Sequence, residues 1–251
     1  MIINNTDSDK NNRIVIDAGT TWAKILSIGI QEDFHKLFKD RLIKSEGNKF
    51  FYIVPSQDIK KYSFIFNFST GHMAKNLVKN PEDSINEIIA LSYGCRSIID
   101  LTKEENSLIL DLGSRDAKWV RFEKGKFKDL DWNNSCASST GATIEMLLNF
   151  YRVNNTELIF QKSKFNVTCG VFGLEKIMDD ISSGNDPRVA ISKFIHGIAY
   201  NTWIFAQKPK KIYLSGGFCN LNVFVDSLKT YCDVITLGRF VLCKGLLTLD
   251  M

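Results

Sequence analysis

Residues 16–24 (IDAGTTWAK) place an acidic residue, a glycine and two threonines at the end of an apolar run. Gly19 lets the backbone pass close to a phosphate, and Thr20 and Thr21 offer hydroxyl and N–H donors. Asp17 ends the predicted strand and can hold Mg²⁺ through water, because Mg²⁺ keeps much of its hydration shell. The candidate nucleotide-binding residues of this segment are Asp17, Gly19, Thr20, Thr21 and Lys24.

Residues 111–118 (DLGSRDAK) repeat this combination in the second half of the chain. Gly113 and Ser114 are candidate phosphate contacts, and Asp111 and Asp116 are candidate catalytic carboxylates. A Mg-nucleotide held by both segments would have its phosphates bound from two sides. The two segments together therefore predict a nucleotide site with Mg²⁺.

A third element, residues 214–218 (LSGGF), places Gly216 and Gly217 after a predicted buried strand, where a flat adenosine could approach the backbone. An Asp-x-Gly sequence alone is usually only a turn. The three elements together, in this order and about a hundred residues apart each time, are much less expected to occur by chance. The sequence has neither a Walker A motif nor the Rossmann glycine fingerprint, which excludes the commonest rival nucleotide folds.

Two cysteines, Cys136 and Cys169, each stand just before a stretch with helical periodicity. A thiolate at a helix N-terminus is stabilised by the helix dipole and by free N–H donors. Two thiolates cannot complete a cubane cluster, but a two-fold dimer would supply four. Spacing alone favours inert, buried thiols at both positions, because free cysteine is among the most buried residue types. Trp132, just before the first of these segments, could shield a cluster, but a buried core indole is the favoured interpretation.

The elements that must position these residues form a weak internal repeat. A strand ending in Asp-x-Gly and followed by a second strand occurs at Asp17 and again at Asp111. The repeat predicts a duplicated α/β architecture with a cleft between two lobes, residues 13–100 and 101–251, and leaves open whether the terminal helix returns to the first lobe. Further strands are predicted at 34–42, 49–54 and 61–68, and helices at 83–96, 139–151, 171–181, 187–205 and 240–249.

The bulk composition is that of an ordinary globular protein, with 251 residues, 44% of them apolar and 24% charged. The net charge is only +4, and the Lys and Arg residues are scattered among Asp and Glu, so nucleic acid is not expected as a partner. No apolar run approaches the roughly 20 residues of a membrane span, and the polar N-terminus has no apolar stretch of the kind expected in a secretory signal. We therefore expect a cytoplasmic protein whose six cysteines are thiols or metal ligands rather than disulfides.

The order of the three nucleotide elements resembles that of the actin, hexokinase and heat-shock chaperone ATPase superfamily. Within it, the chain looks like the activator component of 2-hydroxyacyl-CoA dehydratases, a family also linked to benzoyl-CoA reduction. The family's Asn-Asp-Lys-Cys-Ala-Ala-Gly-Thr-Gly is matched by residues 133–141 (NNSCASSTG), and its Cys-Ala-Val-Phe by residues 169–172 (CGVF). Its Asp-Ile-Gly-Gly-Gln-Asp-Ser-Lys is matched by residues 111–118, and residues 69–71 and 87–88 match its Thr-Gly turn and Glu-Ile helix.

The resemblance implies an actin-like, ribonuclease H-like two-lobed ATPase fold. In that family each subunit binds ATP, and a homodimer holds one [4Fe–4S] cluster between the paired helices. ATP then drives one electron to the dehydratase, with reduced ferredoxin or flavodoxin as a possible donor. Carried over residue by residue, Cys136 and Cys169 would be the cluster ligands.

The chain departs from the family pattern at several positions, among them two in the second phosphate segment. Arg115 replaces a Gln and Ser114 replaces a Gly inside the second phosphate segment, and Leu91 stands where the family commonly has His. Arg115 offers charge to a phosphate but does not position water as Gln does.

Two other functions fit the nucleotide elements. The first is a small-metabolite kinase similar to pantothenate kinases, with Asp111 or Asp116 as the base. Such a kinase would have no use for Cys136 and Cys169 at two helix starts. The second is a nucleotide-binding scaffold that lost turnover through its Ser114 and Arg115.

Overall fold

The computed structural model describes residues 12–133, 140–167 and 170–249. These residues fold into two units, each built around a five-stranded sheet. The first unit lies within residues 1–100 and 239–251, and the second is 101–238. The α-helices are α1 (Glu32–Phe38), α2 (Ser56–Ile59), α3 (Glu87–Arg96), α4 (Thr140–Tyr151), α5 (Gly170–Ser182), α6 (Pro187–Phe205), α7 (Asn222–Leu228) and α8 (Val241–Thr248).

The sheet of the first unit has the strand order β3-β4-β2-β1-β5. Apolar residues of β1 and β2 face a core that also takes Phe34, Phe38 and Tyr52. Strand β1 pairs antiparallel with β2 and parallel with β5, so β1 and β5 end at the same edge. The strands are β1 (Arg13–Ala18), β2 (Trp22–Ile28), β3 (Leu42–Glu46), β4 (Lys49–Pro55) and β5 (Phe68–Thr70).

Helix α8 packs against α3 and belongs to the first unit. Glycine allows the close approach at two points. A Cβ atom on Gly245 would lie 1.9 Å from the carbonyl oxygen of Ala90, and one on Gly94 would lie 1.9 Å from that of Val241. The last helix thus joins the unit that begins the chain.

The sheet of the second unit has the order β10-β9-β6-β7-β8. Strand β6 pairs antiparallel with β7 and parallel with β9. Helix α6, which begins at Pro187 behind the N-cap Asp186, supplies Ile191, Phe194 and Ile195 to the core of this unit. The strands are β6 (Asn106–Leu112), β7 (Ala117–Glu123), β8 (Lys126–Asn133), β9 (Lys211–Gly216) and β10 (Asp233–Gly238).

Two predicted strands of the first unit are wrong. The segment predicted as a strand at 34–42 begins in helix α1, where Phe34 and Phe38 lie four residues apart and face the core. The aromatic segment at 61–68 contributes only the start of the short strand β5. Phe64 and Phe66 are instead buried in an aromatic cluster with Phe34. The aromatic residues of these segments indicate that the segments contact the core, and they do not indicate a strand.

Candidate nucleotide site

The turn between β1 and β2 carries the first set of predicted residues. Asp17 and Lys24 are paired residues of the hairpin, and Lys24 Nζ lies 2.9 Å from Asp17 Oδ2 with both side chains largely shielded from solvent. A shielded ion pair at a strand end holds the carboxylate in one orientation. Asp17 therefore stands preorganised where the hairpin turns.

The backbone of this turn is fixed from outside it. Ser56 donates its hydroxyl to the Gly19 carbonyl at 2.7 Å and its backbone N–H to the Thr21 carbonyl at 2.9 Å. A Cβ atom on Gly19 would lie 2.7 Å from the Trp22 carbonyl oxygen, so glycine is required there. Thr20 is exposed and Thr21 half-buried, which leaves their polar groups accessible to a phosphate.

The turn between β6 and β7 carries the second set. Asp111 is buried, accepts a hydrogen bond from the Ser215 hydroxyl at 2.6 Å and lies 3.6 Å from Lys118 Nζ. Asp111 and Lys118 are paired residues of this hairpin, as Asp17 and Lys24 are of the other. Each unit thus presents a buried aspartate beside a lysine at the same place in its sheet.

Asp116 closes the second turn. Its backbone carbonyl accepts from the Gly113 N–H at 3.0 Å, its Oδ1 lies 3.4 Å from Lys118 Nζ, and its Oδ2 accepts from the Trp132 indole at 3.1 Å. Arg115 reaches the same carboxylate at 3.9 Å. The Asp116 carboxylate is therefore directed toward residues of its own unit, where it shapes the turn that contains Gly113 and Ser114.

The third element follows strand β9. Gly216 has φ +92°, and a Cβ atom on it would lie 2.3 Å from the Leu112 carbonyl oxygen, so only glycine fits. A Cβ atom on Gly217 would meet no atom closer than the Leu112 carbonyl oxygen, 4.0 Å away. A flat ligand such as an adenosine could approach the backbone here.

The first unit contains an equivalent of this element that sequence reasoning did not assign to the site. Thr70 pairs with Asp17 in parallel strands, as Ser215 pairs with Asp111. Gly71 follows with φ +100°, and its Cβ would lie 2.6 Å from the Ala18 carbonyl oxygen. A hydroxyl residue followed by glycine at the end of a parallel strand is the sequence pattern that would have identified Thr70 and Gly71.

Lys118 is a second residue that sequence reasoning missed. It is almost fully buried and its amino group lies near both Asp111 and Asp116. A buried lysine needs such counter-charges. The signal was present in the sequence, because Lys24 and Lys118 stand at the same distance after Asp17 and Asp111.

The predicted cluster ligands Cys136 and Cys169 lie outside the described residues. Helix α4 begins at Thr140 and α5 begins at Gly170, so each cysteine precedes a helix start along the chain, as the sequence predicts. Both helices pack on the core around α6 through Ile144 and Ile177. Iron–sulfur clusters are usually held by cysteine thiolates. Within residues 12–133, 140–167 and 170–249, no group of three or more metal-ligating side chains occurs.

Three other cysteines are buried thiols. Burial raises the pKa of Cys95 to about 12 and that of Cys232 to about 11. Burial also raises the pKa of Cys243, which donates to the Lys24 carbonyl at 3.2 Å. These three thiols are therefore protonated at neutral pH.

None of the helices in the described part of the chain is long and apolar enough to cross a membrane.

Known proteins resemble the chain in sequence and in fold. No established protein-family profile matches it. The (R)-2-hydroxyglutaryl-CoA dehydratase activating ATPase of Acidaminococcus fermentans is 22% identical over 174 residues, which are 66% of this chain and 65% of the relative. The activator of lactoyl-CoA dehydratase of Anaerotignum propionicum is 24% identical over 174 residues, 63% of each chain. The chain thus spans slightly less than two thirds of the length of these relatives.

A solved structure extends the likeness to nearly the whole chain. The activator of the 2-hydroxyisocaproyl-CoA dehydratase from Clostridium difficile, with bound ADPNP, superimposes with a TM-score of 0.71 at 15% identity. The superposition covers 95% of this chain and 94% of that one. The predicted actin-like α/β fold and the resemblance inferred from the motifs are both confirmed. The chain has the actin-like fold and is similar in sequence to the activator ATPases of 2-hydroxyacyl-CoA dehydratases.

Proposed function

We propose that this chain is an ATP-dependent activator that passes one electron to a 2-hydroxyacyl-CoA dehydratase or a related low-potential iron–sulfur enzyme. The observation that carries the proposal is the pair of equivalent hairpins, each ending in a buried aspartate beside a lysine. Two relatives with this sequence likeness are named as dehydratase activators, and one of them as an ATPase.

Each unit carries its own candidate nucleotide-binding residues. Asp17 and Asp111 would hold Mg²⁺ through water, and the turn at Gly113 and Ser114 would bind phosphate oxygens through N–H and hydroxyl donors. Hydrolysis consumes water and releases ADP and phosphate. The remaining residues assigned to ATP are Gly19, Thr20, Thr21, Lys24, Asp116, Gly216 and Gly217.

The electron carrier would be one [4Fe–4S] cluster shared by a homodimer. Cys136 and Cys169 of each chain would supply the four thiolates that such a cluster takes. The cluster would supply a one-electron carrier of low potential. Reduced ferredoxin or flavodoxin would give the electron and the dehydratase would receive it, in the cytoplasm, where thiols stay reduced.

An electron-transfer assay tests this function. The chain is prepared without oxygen, reduced by a low-potential ferredoxin and mixed with an inactive 2-hydroxyacyl-CoA dehydratase. We expect dehydratase activity to appear only with Mg-ATP and not with Mg-ADPNP. A chain that leaves the dehydratase inactive but phosphorylates pantothenate would contradict the proposal and establish a kinase.

Replacement of Arg115 by Gln should raise the rate of ATP hydrolysis at least about tenfold, because Gln can orient the attacking water and Arg cannot. Phosphate release by the purified chain measures this rate. Arg121→Gln is the matched control, since Arg121 bonds Asp129 and Gln207 away from the turn. An equal or lower rate in Arg115→Gln would show that Arg115 itself contributes to turnover.

A further inference from the structure

The hydroxyl group of Ser215 joins two neighbouring strands of the second unit. Strand β9 carries Ser215 next to Gly216, and strand β6 carries Asp111 beside it. We infer that Ser215 is a positioning residue, which fixes the Asp111 carboxylate for the hydrated Mg²⁺ ion of the nucleotide. The inference rests on the proposed function, because it assumes that Asp111 holds Mg²⁺ through water.

The contact between Ser215 and Asp111 is short and shielded from solvent. The two residues are partners in the parallel ladder of β6 and β9, and the Ser215 hydroxyl donates to Asp111 Oδ1 at 2.6 Å. Ser215 has no exposed surface, and Asp111 is only 6% exposed. A hydrogen bond to a charged oxygen is stronger than one between neutral groups, and a buried setting strengthens it further. The direction of the Asp111 carboxylate is therefore set from within its own unit.

The two oxygens of this carboxylate have different partners. Oδ1 accepts from Ser215, and Oδ2 lies 3.6 Å from the ammonium of Lys118. A carboxylate has about four acceptor sites, so the two contacts orient Asp111 and leave acceptor sites for water. Mg²⁺ usually keeps several of its waters in protein sites. A carboxylate that is oriented in advance can accept from those waters without a further loss of rotational freedom.

The first unit has an equivalent hydroxyl that is used differently. Thr70 pairs with Asp17 in parallel strands, as Ser215 pairs with Asp111. The Thr70 hydroxyl, however, donates to the Ile85 carbonyl at 2.7 Å. A hydroxyl has only one hydrogen to donate, so Thr70 does not hold its aspartate as Ser215 does. The bond to the carboxylate is therefore a feature of the second unit and not a general consequence of the strand pairing.

Two substitutions at this position test the hydroxyl. Ser215→Ala removes the donor and leaves the carboxylate in place. Ser215→Thr keeps a donor, and threonine occupies the equivalent strand position of the first unit at Thr70. If the alanine chain does not fold in a thermal unfolding test, Ser215→Cys replaces it, because a thiol is only a weak donor.

Ser227→Ala is the matched control. Ser227 is as completely buried as Ser215 and also donates its hydroxyl at 2.6 Å, to the Val223 carbonyl within α7. Its replacement therefore removes a buried hydrogen bond of the same length from the same unit. The acceptor in this case is a neutral carbonyl and not a candidate Mg²⁺ ligand.

The measurement is the rate of phosphate release by the full chain at a fixed ATP concentration and varied free Mg²⁺. In Ser215→Ala we expect the half-saturating Mg²⁺ concentration to rise about tenfold, because hydrogen bonds to charged groups are among the stronger ones in proteins. Ser215→Thr should return it to within about threefold of the unmodified value, and Ser227→Ala should change it less than about twofold. Partial unfolding lowers the amount of active protein but leaves this concentration unchanged, so the measurement separates positioning from a purely structural role.

A folded Ser215→Ala chain with an unchanged Mg²⁺ requirement would overturn the inference and leave the proposed function intact. An equal rise in Ser227→Ala would overturn it too, since the loss of any buried hydroxyl bond would then have the same effect. A folded Ser215→Thr chain that needs as much Mg²⁺ as Ser215→Ala would also contradict it. If the unmodified chain releases no phosphate at any Mg²⁺ concentration, the proposed function itself fails.

Discussion

Replacement of Asp111 by Asn should lower the rate of ATP hydrolysis about 10²- to 10³-fold, as expected when one preorganised electrostatic group is removed from a phosphoryl-transfer site. Asp111 is buried, accepts from Ser215 at 2.6 Å and faces Lys118 at 3.6 Å. Asparagine keeps the size of the side chain but removes the charge that would hold Mg²⁺. The change also removes one of the two carboxylates that lie near the buried Lys118 ammonium.

Phosphate release at saturating Mg-ATP measures the effect, and thermal unfolding reports whether the variant folds. Asp226→Asn is the control, because Asp226 is an exposed carboxylate on α7 that pairs only with Lys229 at 3.6 Å among the contacts of the described chain. We expect Asp226→Asn to hydrolyse ATP as the unmodified chain does. A folded Asp111→Asn chain with normal turnover would exclude this hairpin from the nucleotide site.

Replacement of Cys136 by Ser should abolish the binding of iron in protein prepared without oxygen. A cubane cluster normally takes four thiolates, and a serine hydroxyl does not ionise at neutral pH to replace one of them. In a dimer the change removes two ligands at once, since each chain contributes the same residue. Iron content and the absorption near 400 nm measure the loss, and Cys169→Ser should give the same result.

Cys219→Ser is the matched control for both variants. Cys219 is half-buried and donates to the Leu214 carbonyl at 3.1 Å, a contact that a serine hydroxyl can also make. This variant should keep the iron content of the unmodified chain. Equal iron in Cys136→Ser and Cys219→Ser would remove Cys136 from the proposed ligand set.

The two hairpins could be predicted from sequence because their signals are local. An apolar run, Asp-x-Gly and a second apolar run define a strand, a tight turn and a returning strand, and the structure has these elements at Asp17 and Asp111. The hydroxyl residues Thr70 and Ser215 could not be placed beside those aspartates in this way. They arrive through parallel pairing with strands far away in the chain, which no local pattern encodes.

Other features depended on contacts that the sequence does not display. The assignment of α8 to the first unit follows from its packing on α3, where Gly245 and Gly94 permit close approach. Trp132 was interpreted as a core indole, but it is half-buried and bonded to Asp116. The segment 34–42 was predicted as a strand, although Phe34 and Phe38 stand four residues apart, as on one face of a helix. In each of these three places, the structure depends on burial and on contacts between residues far apart in the sequence.

The most direct test of the proposed function is native mass spectrometry of the protein prepared without oxygen. The proposal predicts a particle of two chains that carries a single [4Fe–4S] cluster, and it predicts that this particle binds ADPNP. An iron-free single chain that still binds ADPNP would contradict the redox function and leave a nucleotide-binding protein of actin-like fold.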